Sequence, residues 1–257
     1  MRLIDLSTAI DAAGWEPDPV THEIVSAKEG ARHMAREMRE HFGVDFDPST
    51  LPGGELLSLD RISLTSHTGT HVDAPSHYGT PEDGGRPADI DEMPLDWFVR
   101  PGVVLDISDA GVGTVGPDRL ERGLKEAGHT PSPLDIVLLR TGADRHAGTQ
   151  RYFTDFVGLD GPAVEFLLDF GVRVIGTDAF SLDAPFTHMI GAYQKTGDPS
   201  VLWPAHLVGR HRPYCQIERL SHLEDLPSPH GFTVSALPVR ISGAGAGWTR
   251  AVAWVDR

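Results

Sequence analysis

Cysteine is nearly missing from this chain: Cys215 stands alone among 257 residues. Intrachain disulfides are therefore excluded, and a cytoplasmic location is expected. Long apolar runs are missing too. No stretch of about eighteen apolar residues occurs, so no segment is expected to span a membrane. The opening "MRLIDLSTAI" lacks the basic end and long apolar stretch of a secretory signal. Positive charge is scarce, with 22 Lys and Arg against 37 Asp and Glu and a formal net charge of -15. Phosphate backbones would be repelled and no basic cluster offsets this, which argues against a nucleic-acid partner. No G-x-S-x-G occurs, so a serine-hydrolase elbow is lacking. Internal repeats and low-complexity linkers are absent as well.

What is present suffices for one large core, since 40% of the residues are hydrophobic. "LIDLS" alternates like a short strand. "SAKEGARHMAREMREHF" reads as a helix with a Ser26/Glu29 capping box, an apolar stripe of Ala31, Met34, Met38 and Phe42, and Gly43 to end it. "GVVLDI" (102–107), "DIVLLR" (135–140) and "VRVIGTDAF" (172–180) read as buried strands. Between them, Pro117 opens a helix carrying Leu120, Leu124 and Ala127, and "GPAVEFLLDFG" (161–171) forms another. "FTVSALPVRIS" and "WTRAVAWV" flank "GAGAG" and are expected to be two strands joined by a tight turn. The pattern predicts an α/β fold: one domain over 1–257, with a mixed β-sheet and barrel-like core flanked by helices.

One stretch concentrates ligand-type side chains. "SHTGTHVDAPSHYG" (66–79) holds His67, His71, Asp73 and His77. Gly69, the β-branched Thr70 and Val72, and Pro75 all oppose a helix. In extended chain, positions 67, 69, 71 and 73 share one face. Two imidazoles and a carboxylate then converge beside a glycine, which suits a divalent ion such as zinc or manganese. Far downstream, His206 is followed twelve residues on by Glu218 within "YCQIERL", which reads as a strand with an acidic residue among apolar neighbours. A buried carboxylate is costly unless paired or bound to metal.

The "HTGTHVDAPSH" stretch resembles the H-x-G-T-H-x-D-x-P-x-H signature of the cyclase superfamily, which includes bacterial kynurenine formamidase and isatin hydrolase. The spacing of His206 and Glu218, "VIGTDAFSLDAP", "VLLRTG" and "LPVRISGAGAGWTRAVA" extend the likeness over nearly the whole chain. The resemblance implies a kynurenine formamidase-like swivelling β/α/β fold. It implies that His67, His71 and Asp73 hold one metal, that Asp73 and Glu218 bridge to a second completed by His206, and that His77 transfers protons. Either one or two ions, zinc or manganese, fit this expectation. Trp15 falls where formamidases place a substrate-contacting tryptophan, although its neighbours depart from their Trp-Pro-Gly-Asp pattern. Residues 26–54 look like an added segment covering the pocket. By analogy, a homodimer or homotetramer is expected.

Two chemistries share such a site. In ring closure the metal acts as Lewis acid on a carbonyl substrate and His77 as general acid/base. In hydrolysis, water attacks an amide or lactam. The departures around Trp15, the added segment and the aromatic-rich "FTHMIGAYQKTGDPSVLW" favour the first: ring closure of a bulky, aromatic or polyketide-derived small molecule in antibiotic metabolism. The alternative is an arylformamidase- or isatin hydrolase-like enzyme. A third reading comes from "GVGTVG" (111–116), which satisfies G-x-G-x-x-G after a strand and before a helix, as in NAD-binding oxidoreductases. Its third glycine precedes Pro117 rather than lying inside the helix, so a turn-forming loop is the better interpretation.

Overall fold

A computed structural model describes residues 2–255. Asp11–Thr65 forms one compact unit, and the chain before and after it forms another. The larger unit starts with β1 (Arg2–Asp5). The smaller one holds β2 (Thr21–Val25), α1 (Ala27–Phe42) and β3 (Leu59–Ser63), with β2 and β3 paired antiparallel. The expected added segment, 26–54, lies inside this smaller unit. Its capping box forms as expected: Glu29 N–H donates to the Ser26 hydroxyl, the Glu29 carboxylate takes the Ser26 N–H, and Gly43 closes the helix in the left-handed region. The apolar stripe of α1 is less buried than its periodicity suggests. Only Ala31 is buried, while Met34 and Phe42 are exposed.

The larger unit continues with β4 (His71–Asp73), β5 (Val99–Asp106), β6 (Gly113–Val115), α2 (Pro117–Ala127), β7 (Ile136–Arg140), α3 (Gln150–Thr154) and β8 (Val157–Leu159). Next come α4 (Gly161–Asp169), β9 (Val174–Thr177), α5 (Phe186–Thr196), α6 (Pro204–Val208) and β10 (Cys215–Glu218). The last strands are β11 (His230–Ser235), β12 (Ala246–Trp248) and β13 (Val252–Val255). Nine strands form one curled mixed sheet in the order β1-β13-β11-β5-β7-β9-β10-β4-β12. The four central strands, β5, β7, β9 and β10, run parallel, and the flanking pairs are antiparallel.

The near-continuous apolar runs have a plain cause: both faces of the parallel strands are buried. Val103, Leu105, Val137, Leu139 and Ile175 face one core with Leu120, Leu124 and Leu167 of the helices. Val104, Ile136, Leu138 and Val174 face the other core, with Phe98 and Val234. Among the described residues no helix is long and apolar enough to cross a membrane.

Two local expectations are corrected. Residues 66–70 form a turn and bends rather than a strand, because Gly69 is left-handed at φ +68. Only His71 and Asp73 owe their shared face to strand alternation. "GAGAG" is not a hairpin turn between two strands. It leads into β12, which pairs with β4, while β11 and β13 pair across this excursion. "GVGTVG" contains β6, which pairs with β8, and its third glycine is the N-cap of α2 rather than a residue inside the helix.

Candidate metal centre

The site is built where β10 and β4 pair. Their antiparallel register sets Glu218 opposite His71 and Gln216 opposite Asp73. Directly opposed residues point to the same face, and so do residues two apart. His71, Asp73 and Glu218 therefore project together. His67 joins them from the turn before β4, whose left-handed Gly69 folds the chain back. A side chain at position 69 would also meet Ile10 at 2.7 Å. His206 arrives from α6.

The atoms converge closely. His67 Nδ1 and His71 Nε2 lie 3.0 and 3.2 Å from Asp73 Oδ1. His206 Nε2 lies 3.9 Å from Asp73 Oδ2 and 3.8 Å from Glu218 Oε1. His71 Nε2 is 3.7 Å from Glu218 Oε2. His71 and Asp73 are completely buried, and Glu218 and His206 nearly so. Ligand-type atoms of His71, Asp73 and Glu218 fall within 4.8 Å of one another, as do those of His67, Asp73 and His77, so Asp73 belongs to both groups.

Neighbouring groups fix the rings. The Gly69 carbonyl is 2.9 Å from His71 Nδ1 and can only accept, so that nitrogen donates and Nε2 faces the carboxylates. Asp183 does the same for His206: its Oδ2 meets the ring Nδ1, and its two oxygens take the backbone N–H groups of Ala205 and His206 at 2.7 and 3.2 Å. Glu218 Oε1 is oriented by the Ser181 hydroxyl at 3.0 Å and the Leu182 N–H at 2.8 Å. The Tyr78 ring stands edge-on to His206 with centroids 5.5 Å apart.

Asp73 supplies the test of fit. Both its oxygens are buried with no backbone N–H, hydroxyl or guanidinium donating to them, and only imidazole nitrogens stand beside them, a costly arrangement for a carboxylate. Its charge has to be compensated. Burial alone would lower the pKa of His71 and His206, yet the carboxylates outweigh it: Asp73 holds His71 above its ordinary value, and Asp183 lifts His206 to about 9. Burial and the Asp73 charge together raise Glu218. A divalent cation would meet the same negative charge while leaving the imidazole nitrogens free as ligands. Imidazole and carboxylate donors suit zinc and manganese alike, and the residues present fit such an ion.

His77 sits at the rim. Its ring centroid is 4.2 Å from that of His67 and 5.4 Å from that of His206, and the ring is open to solvent on one side. Desolvation of its inner side, opposed by Asp73 and reinforced by the neighbouring imidazoles, pushes it down to about 4. Gly245 of "GAGAG" packs on the His77 backbone, where a Cβ would lie 3.3 Å from His77 Cα.

The sequence named His67, His71, Asp73, His77, His206 and Glu218, and the structure gathers all six. Trp15 lies in the smaller unit and is 38% exposed. Asp183 joins the six from the loop after β9. Its hold on His206 had no spacing signal, because 23 positions separate the two. In the same loop Ser181 bonds Glu218, while Asp178 binds Thr141 and Gly142 elsewhere.

The whole chain overlays solved structures of isatin hydrolase A. For the enzyme from Labrenzia aggregata bound to benzyl benzoate, the TM-score is 0.74 at 24% identity, covering 100% of this chain and 94% of that one. For the enzyme from Ralstonia solanacearum it is 0.75 at 23% identity, covering 99% and 92%. These likenesses establish the fold. In sequence, the chain is 31% identical over 196 residues to kynurenine formamidase of Maricaulis maris, covering 76% of this chain and 80% of that protein. It is 32% identical over 192 residues to kynurenine formamidase of Sphingopyxis alaskensis, covering 72% and 75%. The Cyclase family model matches residues 4–184, a span that takes in both the first histidine cluster and Asp183. With that match and these relatives, the chain belongs to the Cyclase family.

Proposed function

We propose that this protein is a metal-dependent hydrolase that cleaves the carbonyl–nitrogen bond of an aryl formamide or a lactam. One observation carries the reading: Asp73 is buried with only imidazole nitrogens, those of His67, His71 and His206, beside its oxygens and the carboxylate of Glu218 close by. The formamidase names of the sequence relatives support hydrolysis.

In this reading His67, His71 and Asp73 would hold one zinc or manganese ion, and Asp73, Glu218 and His206 would be the residues for a second. When bound, such an ion supplies Lewis-acid polarisation of a carbonyl and lowers the pKa of water to about 7. His77 is the general acid/base. Its depressed pKa leaves the ring neutral near pH 7, able to accept a proton from the attacking water and pass it to the departing nitrogen. Asp73 and Glu218 are buried on β4 and β10, which strengthens their hold on charge.

Ring closure of a polyketide-like substrate in antibiotic metabolism would use the same six residues without consuming water. One experiment separates the readings. Elemental analysis of the purified protein should find zinc or manganese, and the loaded enzyme should release formate from N-formylaniline or open isatin. An active preparation free of divalent metal would overturn the metal centre. A metal-loaded protein inert toward formanilides, isatin and simple lactams would overturn hydrolysis and leave ring closure.

A further inference from the structure

Two large aromatic side chains stand beside the elements that carry Asp183 and His206, and the chemistry above uses neither. Phe186 opens α5, three residues after Asp183. Trp203 is the N-cap of α6, three residues before His206. Their ring centroids are 5.2 Å apart with planes inclined by 50°. Each residue remains 39% exposed.

Isolated exposed apolar residues are ordinary; this pair is not isolated, and its backbone is unusual. Trp203 lies in the left-handed region at φ 51, ψ 46. That conformation costs a bulky residue about 1 kcal/mol or more and persists only where its surroundings impose it. Here two bonds impose it. The Trp203 N–H donates to Met189 Sδ at 3.1 Å, and its carbonyl accepts the Leu207 N–H at 3.0 Å. The result holds an indole partly in water, in contact with a phenyl ring, one helical turn from His206. The two packed rings leave a continuous apolar aromatic surface on their exposed side, which suits a flat π-system better than a flexible alkyl chain.

We propose that Phe186 and Trp203 form an aromatic wall that receives the planar ring of the substrate, and that they set the preference for aryl over alkyl compounds. This rests on the reading that the adjacent cluster acts on a carbonyl group. The ring lodges on the wall and presents its carbonyl substituent toward the side of α6 that bears His206.

The test uses the metal-loaded full chain with Phe186→Leu, Trp203→Leu and the conservative Trp203→Phe. Each Leu variant should raise KM for N-formylaniline by about tenfold with little change in kcat, and Trp203→Phe should recover most of the loss. KM for N-formylbutylamine should not move. Metal content should match the parent. Acetanilide, an aryl probe followed by calorimetry, should bind about tenfold more weakly to both Leu variants, independently of turnover. Unchanged KM and probe affinity in both variants would overturn the wall. So would metal loss in step with affinity loss, since the pair would then only brace α6. If the parent hydrolyses neither formamide yet binds acetanilide through Trp203, the hydrolase reading falls and the wall stands. If the parent binds no acetanilide, the wall falls whatever the activity.

Discussion

Asp183 grips His206 twice over: one of its oxygens meets the ring Nδ1, and the carboxylate also takes the N–H groups of Ala205 and His206 that begin α6. The helix and its imidazole are thus positioned by one buried side chain. Asp183→Asn keeps the shape and weakens the hold on the ring. Divalent-metal affinity should fall by about 10- to 100-fold, as for other groups that orient a ligand histidine. Competition against a chromogenic chelator measures it, with circular dichroism unchanged.

Ligand and proton carrier should separate on mutation. His71→Ala removes a fully buried nitrogen beside Asp73 and should abolish both bound metal and turnover. His77→Ala should keep its metal by elemental analysis and lose about 10²- to 10⁴-fold in kcat. Equal loss of metal in both variants would show that His77 is a ligand.

Gly158 permits the loop that delivers Asp183. A Cβ there would lie 2.2 Å from the Asp183 carbonyl carbon, a backbone atom that cannot swing aside. Gly158→Ala should destabilise the protein by about 1–3 kcal/mol, as over-packing does, and weaken metal binding with it. Urea unfolding and the same chelator assay read both effects.

Asp178 makes stability depend on pH. Burial pushes it up to about 7, against the bonds it accepts from Thr141 and Gly142. Between the ordinary value of 3.8 and about 7, the folded chain holds a proton that the unfolded chain has released. Raising pH through that window therefore weakens folding, on the order of 4 kcal/mol in full, and the loss levels off above it. Unfolding free energies at pH 4.5 and 7.5 check this, and Asp178→Asn should flatten the difference.

Elements governed by local chemistry were legible in the sequence. The capping box of Ser26 and Glu29, Pro117 at the start of α2 and the doubly buried strands all formed as their residue types dictate. The residues on the β4 side of the site were legible because His67, His71, Asp73 and His77 crowd into eleven positions. What escaped was non-local. His67 reaches Asp73 through a left-handed glycine turn, not through strand alternation. β12 became a strand because β4 offers it an edge, a partner about 175 residues away that no local pattern announces. Met34 and Phe42 kept helical spacing while remaining exposed, since periodicity reports which residues share a face and not what covers it.

β4 is only three residues long, and both its neighbours, β10 and β12, are made much later in the chain. During synthesis His71 and Asp73 leave the ribosome long before Glu218 exists to face them. A cation bound as proposed could not nucleate this fold early, as it does in small zinc modules; it would meet a scaffold already closed by its final third. Loss of metal should accordingly leave the polypeptide folded but idle, and chains interrupted before residue 218 should carry the histidine cluster with nothing to complete it.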